Sequence, residues 1–168
     1  MKTVETASAT QALEALLARS ANKAGPALAQ SVGWPPRAMT AAEVFEFWQR
    51  AKVVAMATVG EHGQPHTAPV HAVLTGNKLS VLVYDNAVRR RDLATNPRVS
   101  FTSWDNEGAV VILSGLAREV EGSTRDARPS QGGAPRQVVE FEVTLTRVHA
   151  MRGKSSKKQE AVSPPRND

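Results

Sequence analysis

Three consecutive arginines, Arg89, Arg90 and Arg91, stand between two apolar runs of this 168-residue chain, within YDNAVRRRDLATNP. Guanidinium groups bind phosphate through paired hydrogen bonds, and a helix that begins after a strand offers free backbone N–H groups to the same anion. Successive helical residues point about 100° apart, so at most one or two of the three side chains can face one phosphate. The stretch therefore predicts either an anion site or a solvated basic turn.

The histidines at positions 62, 66, 71 and 149 are the side chains best suited to binding a metal. His66 and His71 are an odd number of residues apart, so on one regular strand they would face opposite sides of the sheet. No two histidines have the spacing that places a pair of ligands on one face of a helix. The sequence therefore predicts no metal site. His71, inside an apolar run, could either contact a ligand or fill part of the core.

Several catalytic and binding classes are excluded by what the sequence lacks. It contains no cysteine, so thiol nucleophiles and disulfides are ruled out, and redox chemistry would need a bound cofactor. The G-x-S-x-G, Walker and G-x-G-x-x-G patterns are also absent. The aromatic content of 5% is low for base stacking, and part of the net charge of +5 lies in the C-terminal GKSSKKQEAVSPPRND. Nucleic-acid binding is therefore not favoured.

The composition fits one domain with extensions at both ends. Residues 1–38 are Ala-rich with an apolar patch at 12–19, and they predict a short helix on a loosely attached N-terminal arm, partly helical or flexible. Residues 39–152 carry the regular patterns of the domain, and residues 153–168 have the composition of a disordered basic tail. No apolar stretch reaches the ~20 residues that span a bilayer, and Glu14 interrupts the leucine-rich patch, so a cytoplasmic location is predicted.

Periodicity divides the domain into one helix and a series of strands. The sequence TAAE, from Thr40 to Glu43, is a capping box that predicts the start of a helix, with Met39 and Val44 placed for a hydrophobic staple. Six β-type runs follow, at residues 53–59, 65–74, 79–84, 98–104, 109–120 and 139–145. The first two runs predict a hairpin, and the arginine-rich segment lies between the third and fourth. This order predicts a mainly β fold, an antiparallel barrel with a few short helices.

Residues 53–122 together resemble the pyridoxamine 5'-phosphate oxidase-like superfamily of flavin-binding split barrels. Two motifs carry the resemblance: the hairpin A-T-V-x-x-x-G-x-P-H-x-x-P-V at residues 57–70, and L-x-x-N-P-R-V-S at residues 93–100 after the basic segment. The resemblance implies a six-stranded antiparallel split β-barrel that forms a homodimer, with the flavin in a groove between the subunits. FMN is the implied cofactor. A deazaflavin cofactor is the alternative, because DLATNPRVS is similar to a stretch of actinobacterial members.

The resemblance also implies which residues bind the phosphate of the cofactor. Arg89 takes the position of the family's lysine at the start of the crossover helix, and Arg90 or Asn86 could assist it. Ala87 and Val88 stand where the family has a serine and an arginine, so two usual phosphate partners are missing from this chain. The predicted phosphate site therefore depends mainly on Arg89.

A flavin ring would lie along the second predicted strand. The resemblance places four backbone positions beside the ring: Pro69, Val70, His71 and Ala72. Thr58, on the neighbouring strand, is expected close to them. Trp104 and His149 are candidates for the wall of a substrate pocket, and a purely structural role is the alternative for each.

These residues and the resemblance predict a flavin (FMN) or deazaflavin-dependent oxidoreductase that transfers a hydride to or from a small organic substrate at a dimer interface. The cofactor would supply the chemistry, and no catalytic side chain is identified. The alternative is a non-catalytic split-barrel module that carries a flavin or haem, with His149 as the candidate haem ligand. No membrane partner is predicted.

Overall fold

The computed structural model of the chain describes residues 2–27, 36–128 and 133–153. Its helices in these ranges include α1 (Lys2–Asn22), α2 (Ala41–Arg50) and α3 (Val88–Thr95). Its strands are β1 (Val54–Val59), β2 (Pro65–Val70), β3 (Ala72–Thr75), β4 (Lys78–Tyr84), β5 (Arg98–Trp104), β6 (Val110–Glu119), β7 (Arg125–Ala127) and β8 (Arg136–Met151). No helix among these residues is both long enough and apolar enough to cross a membrane.

Helix α2 begins at the predicted capping box. The hydroxyl of Thr40 accepts the backbone N–H of Glu43 at 3.3 Å, and the Glu43 carboxylate accepts the backbone N–H of Thr40 at 2.7 Å. The apolar face of the helix is buried, and the Trp48 indole N–H donates to the carbonyl of Ala72 at 3.0 Å. The capping-box prediction is confirmed, and the helix is fixed against the start of β3.

The strands form one curled antiparallel sheet, in the order β2-β1-β5-β6-β8-β4-β3, with β7 paired to β8. Alternate residues of each strand point into the concave face, as in β8, where Val139, Phe141, Val143 and Leu145 are all buried. With the helices on its flanks, this sheet is a split β-barrel. The predicted fold class is confirmed.

The sheet has eight strands in the described residues, where the sequence predicted six. One extra strand arises because the run 65–74 is interrupted at His71. Before it, Val70 pairs with Val54 of β1, and after it Ala72 pairs with Val81 of β4, so the chain changes its partner strand there. The second extra strand is β7, three residues of the segment between the last two predicted β-type runs, which pair with the start of β8.

The long strand β6 bends at Gly115. The register between β6 and β8 shifts between Ser114 and Gly115, which marks a β-bulge. A Cβ at Gly115 would overlap the carbonyl oxygen of Thr144. Glycine is therefore required there by the close approach of the two backbones, and the bend helps to curl the sheet.

Helix α1 differs from the predicted loosely attached arm. It is longer than the 12–19 patch, and Leu13, Leu16 and Leu17 are buried against the domain. The Ser20 hydroxyl accepts the backbone N–H of Val148 on β8 at 2.9 Å. Leucines at this spacing form one apolar stripe, which packs the helix onto the barrel. The predicted tail lies outside the described residues except for Gly153, and the division into arm, barrel and tail stays a prediction.

Candidate functional site

A cavity of about 450 Å³ lies on the convex face of the sheet. Its floor is formed by the side chains that alternate away from the core on β4, because Leu79, Val81 and Val83 point inward and their neighbours point outward. Ser80, Leu82 and Tyr84 are these outward residues, joined by Val73 of β3 and Val138 of β8. The floor is therefore mostly apolar, with one hydroxyl and one aromatic ring.

The rim of the cavity brings together distant parts of the chain. Pro69, Val70 and His71 line it where β2 ends and the chain crosses to β3. Arg89 lines it from the first turn of α3, and Arg125 lines it from β7. Two guanidinium groups and an extended backbone stretch thus surround an apolar floor.

Arg89 is half-buried, and it has an unused hydrogen-bond donor. Its Nε is buried and has no hydrogen-bond partner among the described residues. Helix α3 also begins without a side-chain cap at Ala87, and its first turn carries no acidic residue. An unpaired buried donor costs about 1–3 kcal/mol, and an anion at this helix start would satisfy it. Arg89 and the apolar floor together fit a ligand that combines a phosphate with an aromatic ring.

Arg90 is engaged elsewhere. Its Nε and Nη2 donate to the two carboxylate oxygens of Glu119 at 2.9 and 2.7 Å, and Nη1 contacts Asp85. The hydrogen bonds that Arg90 donates to Glu119 raise the pKa of Arg90. Arg90 does not line the cavity. Because its guanidinium is paired with Glu119 and Asp85, it could bind an anion only after these ion pairs break.

Asp92, three residues after Arg89, is the centre of a buried polar cluster that was not predicted from the sequence. Its Oδ2 accepts the hydroxyl of Thr58 at 2.6 Å and contacts His66 Nδ1 at 2.8 Å. Burial alone would raise the pKa of Asp92, but the hydrogen bonds from Thr58 and His66 outweigh burial and lower it. The cluster holds α3 against the β1–β2 hairpin.

The predicted cofactor residues are therefore divided by the structure. Arg89, Pro69, Val70 and His71 line one cavity, and the remaining predicted positions do not. These remaining positions are Arg90, Asn86, Thr58 and Ala72. Thr58 points inward because it follows Val54 and Met56 on the buried face of β1. The alternation of residues 54–58 in the sequence could have predicted this inward orientation. Asn86 is exposed in the turn before α3.

A second cavity of about 470 Å³ adjoins the first, and Pro69 lines both. Its walls include Val53, Ala55 and Ala68, together with Trp104, whose surface is 66% exposed. His149 lines neither cavity, and it faces the same convex side, opposite Ile112. Its Nδ1 is buried with no hydrogen-bond partner among the described residues, and burial lowers its pKa. Trp104 thus has the placement expected of a pocket wall, and His149 does not.

Comparison with solved structures shows the fold of the chain. The protein Rv2991 of Mycobacterium tuberculosis is similar with a TM-score of 0.57 and 20% identity, over 70% of this chain and 87% of that one. The haem storage protein HutZ of Vibrio cholerae has a TM-score of 0.52 and 20% identity, over 67% and 94%. An FAD-binding protein of Mesorhizobium loti has a TM-score of 0.51 and 17% identity, over 68% and 95%.

Comparison of sequences identifies the family. A search of curated proteins found no significant match. The family model described as pyridoxamine 5'-phosphate oxidase matches residues 40–152. This range includes the hairpin, the crossover helix with Arg89 and the strands that surround both cavities. The chain therefore belongs to the pyridoxamine 5'-phosphate oxidase family.

Proposed function

We propose that the protein is a flavin-dependent oxidoreductase that binds FMN, or alternatively a deazaflavin, in the cavity at Arg89. The observation that carries the proposal is the buried Arg89 Nε, which has no partner among the described residues and lies beside an apolar floor. Membership of the pyridoxamine 5'-phosphate oxidase family supports it, since that family includes oxidoreductases. The substrate would be a small organic molecule that exchanges a hydride with the cofactor.

Different residues of the cavity would bind different parts of the cofactor. Arg89 and backbone N–H groups in the first turn of α3 would bind the phosphate. Leu82, Tyr84 and Val138 would exclude water from the apolar part of the ligand. The backbone from Pro69 to His71 would lie along the ring edge and adjust its electron density through hydrogen bonds. The bound flavin would supply hydride transfer, which no side chain of the protein can perform.

The substrate would bind in the neighbouring cavity, beside Trp104. The two cavities share Pro69, so a molecule in the second would lie next to a ring held in the first. The second cavity is lined mostly by small apolar side chains, which suits a weakly polar substrate. We propose a homodimer in which the partner subunit forms the remaining wall of this cavity.

Replacing Arg89 tests the proposal. Arg89→Gln removes the charge that would bind the phosphate, and a charge-assisted hydrogen bond of about 1.5–3 kcal/mol corresponds to a loss of FMN affinity of roughly 10- to 100-fold. Arg91→Gln is the matched control, because Arg91 is exposed two residues further along α3. Quenching of FMN fluorescence measures both, and the same titration is run with a deazaflavin.

Riboflavin provides the complementary measurement, since it lacks the phosphate and its affinity should be unchanged by Arg89→Gln. Equal loss of affinity in the Arg89 and Arg91 variants would contradict the assigned phosphate contact. If neither FMN nor a deazaflavin binds below high micromolar concentration, the oxidoreductase proposal is wrong.

A non-catalytic carrier of flavin or haem is the second candidate, and one observation favours it. The Nδ1 of His149, which has no hydrogen-bond partner in the described ranges, could bind iron, and a structural neighbour is named as a haem storage protein. Titration with haem, followed by the Soret absorption band, tests this function. A Soret shift that is lost in His149→Ala, together with no reduction of bound FMN by nicotinamide or chemical donors, would support the carrier over the oxidoreductase.

A further inference from the structure

Strand β7 directs one arginine into the cavity. Arg125 pairs with Val138 of β8, and Val138 pairs on its other side with Tyr84 of β4. Directly opposed residues of antiparallel strands project from the same face, so Arg125 shares the convex face with Tyr84. Asp126, the next residue, projects from the opposite face. The three-residue strand thus presents its positive charge to the cavity and turns its negative charge away.

Arg125 holds no strong ion pair within the described part of the chain. Its Nη1 lies 3.8 Å from Glu140 Oε2, which is beyond hydrogen-bond distance. The other oxygen of Glu140 accepts the hydroxyl of Ser80 at 2.5 Å. The Arg125 side chain is 55% exposed, and such surface pairs contribute little to stability. The guanidinium is therefore available to a ligand, with Glu140 as the nearest opposing charge.

Arg89 and Arg125 approach the cavity from different elements. Adjacent strands are 4.7–4.9 Å apart, so β7 lies about 10 Å from β4 across β8. Arg89 follows the end of β4 through the turn into α3. One ligand phosphate would satisfy the buried Nε of Arg89, and it would leave Arg125, on the far side of β8, without an anion.

We propose that Arg125 binds a second anionic group of the ligand, so that the cavity prefers a flavin with two phosphates to a flavin with one. This proposal rests on the proposed function, because it assumes that the first phosphate is bound at Arg89. Arg125 is then a residue that determines cofactor specificity. FAD, which carries a diphosphate, is the probe for the second anionic group. FMN carries one phosphate, and riboflavin carries none.

The test compares the affinities of riboflavin, FMN and FAD for four proteins by fluorescence quenching. These proteins are the unmodified chain, Arg125→Gln, Arg125→Lys and the control Arg118→Gln. Arg118 is an exposed arginine of β6 that does not line the cavity, so its replacement causes the same change in net charge. Thermal unfolding of each variant identifies any loss of folding.

The unmodified protein should bind FAD about 5-fold more tightly than FMN, and Arg125→Gln should remove that preference while FMN affinity changes less than 2-fold. Arg125→Lys should retain part of the preference for FAD, because the positive charge remains. The rest should be lost with the planar guanidinium fork. The inference is overturned if Arg125→Gln leaves FAD affinity unchanged, or if it weakens FMN and FAD equally, which would place both arginines on one phosphate. Either result would leave the proposed function intact as long as FMN binding still depends on Arg89. Absence of any flavin binding would overturn both proposals.

Discussion

Asp92 is 4% exposed, and its pKa is nevertheless lowered. Two short hydrogen bonds, from Thr58 and His66, stabilise the carboxylate more than burial destabilises it. Because the folded-state pKa is below the unfolded value of about 3.9, this stabilisation is present above that value and is lost as the pH falls below it. At the residue scale, the ionised Asp92 is therefore a local attachment point for α3.

Asp92→Asn should lower the free energy of unfolding by roughly 1–3 kcal/mol at pH 7, since the charge-assisted hydrogen bonds are weakened. This difference in unfolding free energy should narrow as the pH falls below about 4, because the unfolded chain then binds a proton at Asp92 that the folded protein, with its lowered pKa, binds only at lower pH. Urea unfolding followed by circular dichroism at several pH values measures this. Glu61→Gln, at an exposed site in the β1–β2 turn, is the control for loss of one carboxylate.

Glu43 is a second carboxylate that contributes to stability at low pH. Its hydrogen bonds with Arg152 and Thr40 lower its pKa to about 2. It is unchanged in both the Asp92 and the Glu61 variants, so its effect cancels when they are compared. A stability difference that stays constant from pH 7 to pH 3 would show that Asp92 contributes through packing and not through its charge.

At the element scale, the sequence predicted what short-range patterns specify. The capping box at Thr40, the hairpin formed by β1 and β2, and the alternation of β8 are all present. Each depends on residues close together in the chain, where spacing alone determines which side chains face each other. The change of partner strand at His71 depends on the closure of the sheet, and no local signal marks it.

The candidate site shows the same division between local and long-range information. The three adjacent arginines predicted an anion site or a solvated turn, and the family resemblance singled out Arg89 among them. Tyr84 and Leu82 could have been predicted from the alternation of β4, which identifies its outward face. Arg125 could not, because the pairing of β7 with β8 is long-range and its segment has the composition of a polar loop.

At the scale of the whole molecule, the convex face of the sheet carries a small exposed apolar cluster. Trp104 is 66% exposed, and Val53, which lines the same cavity, is 50% exposed. Large apolar side chains that cluster on one face mark a surface that associates. The homodimer in our proposal would bury this face and place the second cavity, which Trp104 lines, between the subunits.

Trp104→Glu should therefore convert the dimer to a monomer at micromolar concentration, because a buried unpaired carboxylate at an interface costs several kcal/mol. Light scattering coupled to size-exclusion chromatography measures the mass, and Ala15→Glu on the exposed side of α1 is the control for added charge. FMN affinity should fall together with the dimer if the partner completes the site. A Trp104→Glu protein that remains dimeric would show that this face is not the interface. An unmodified protein that is monomeric and still binds FMN tightly would show that one subunit holds the complete cofactor site.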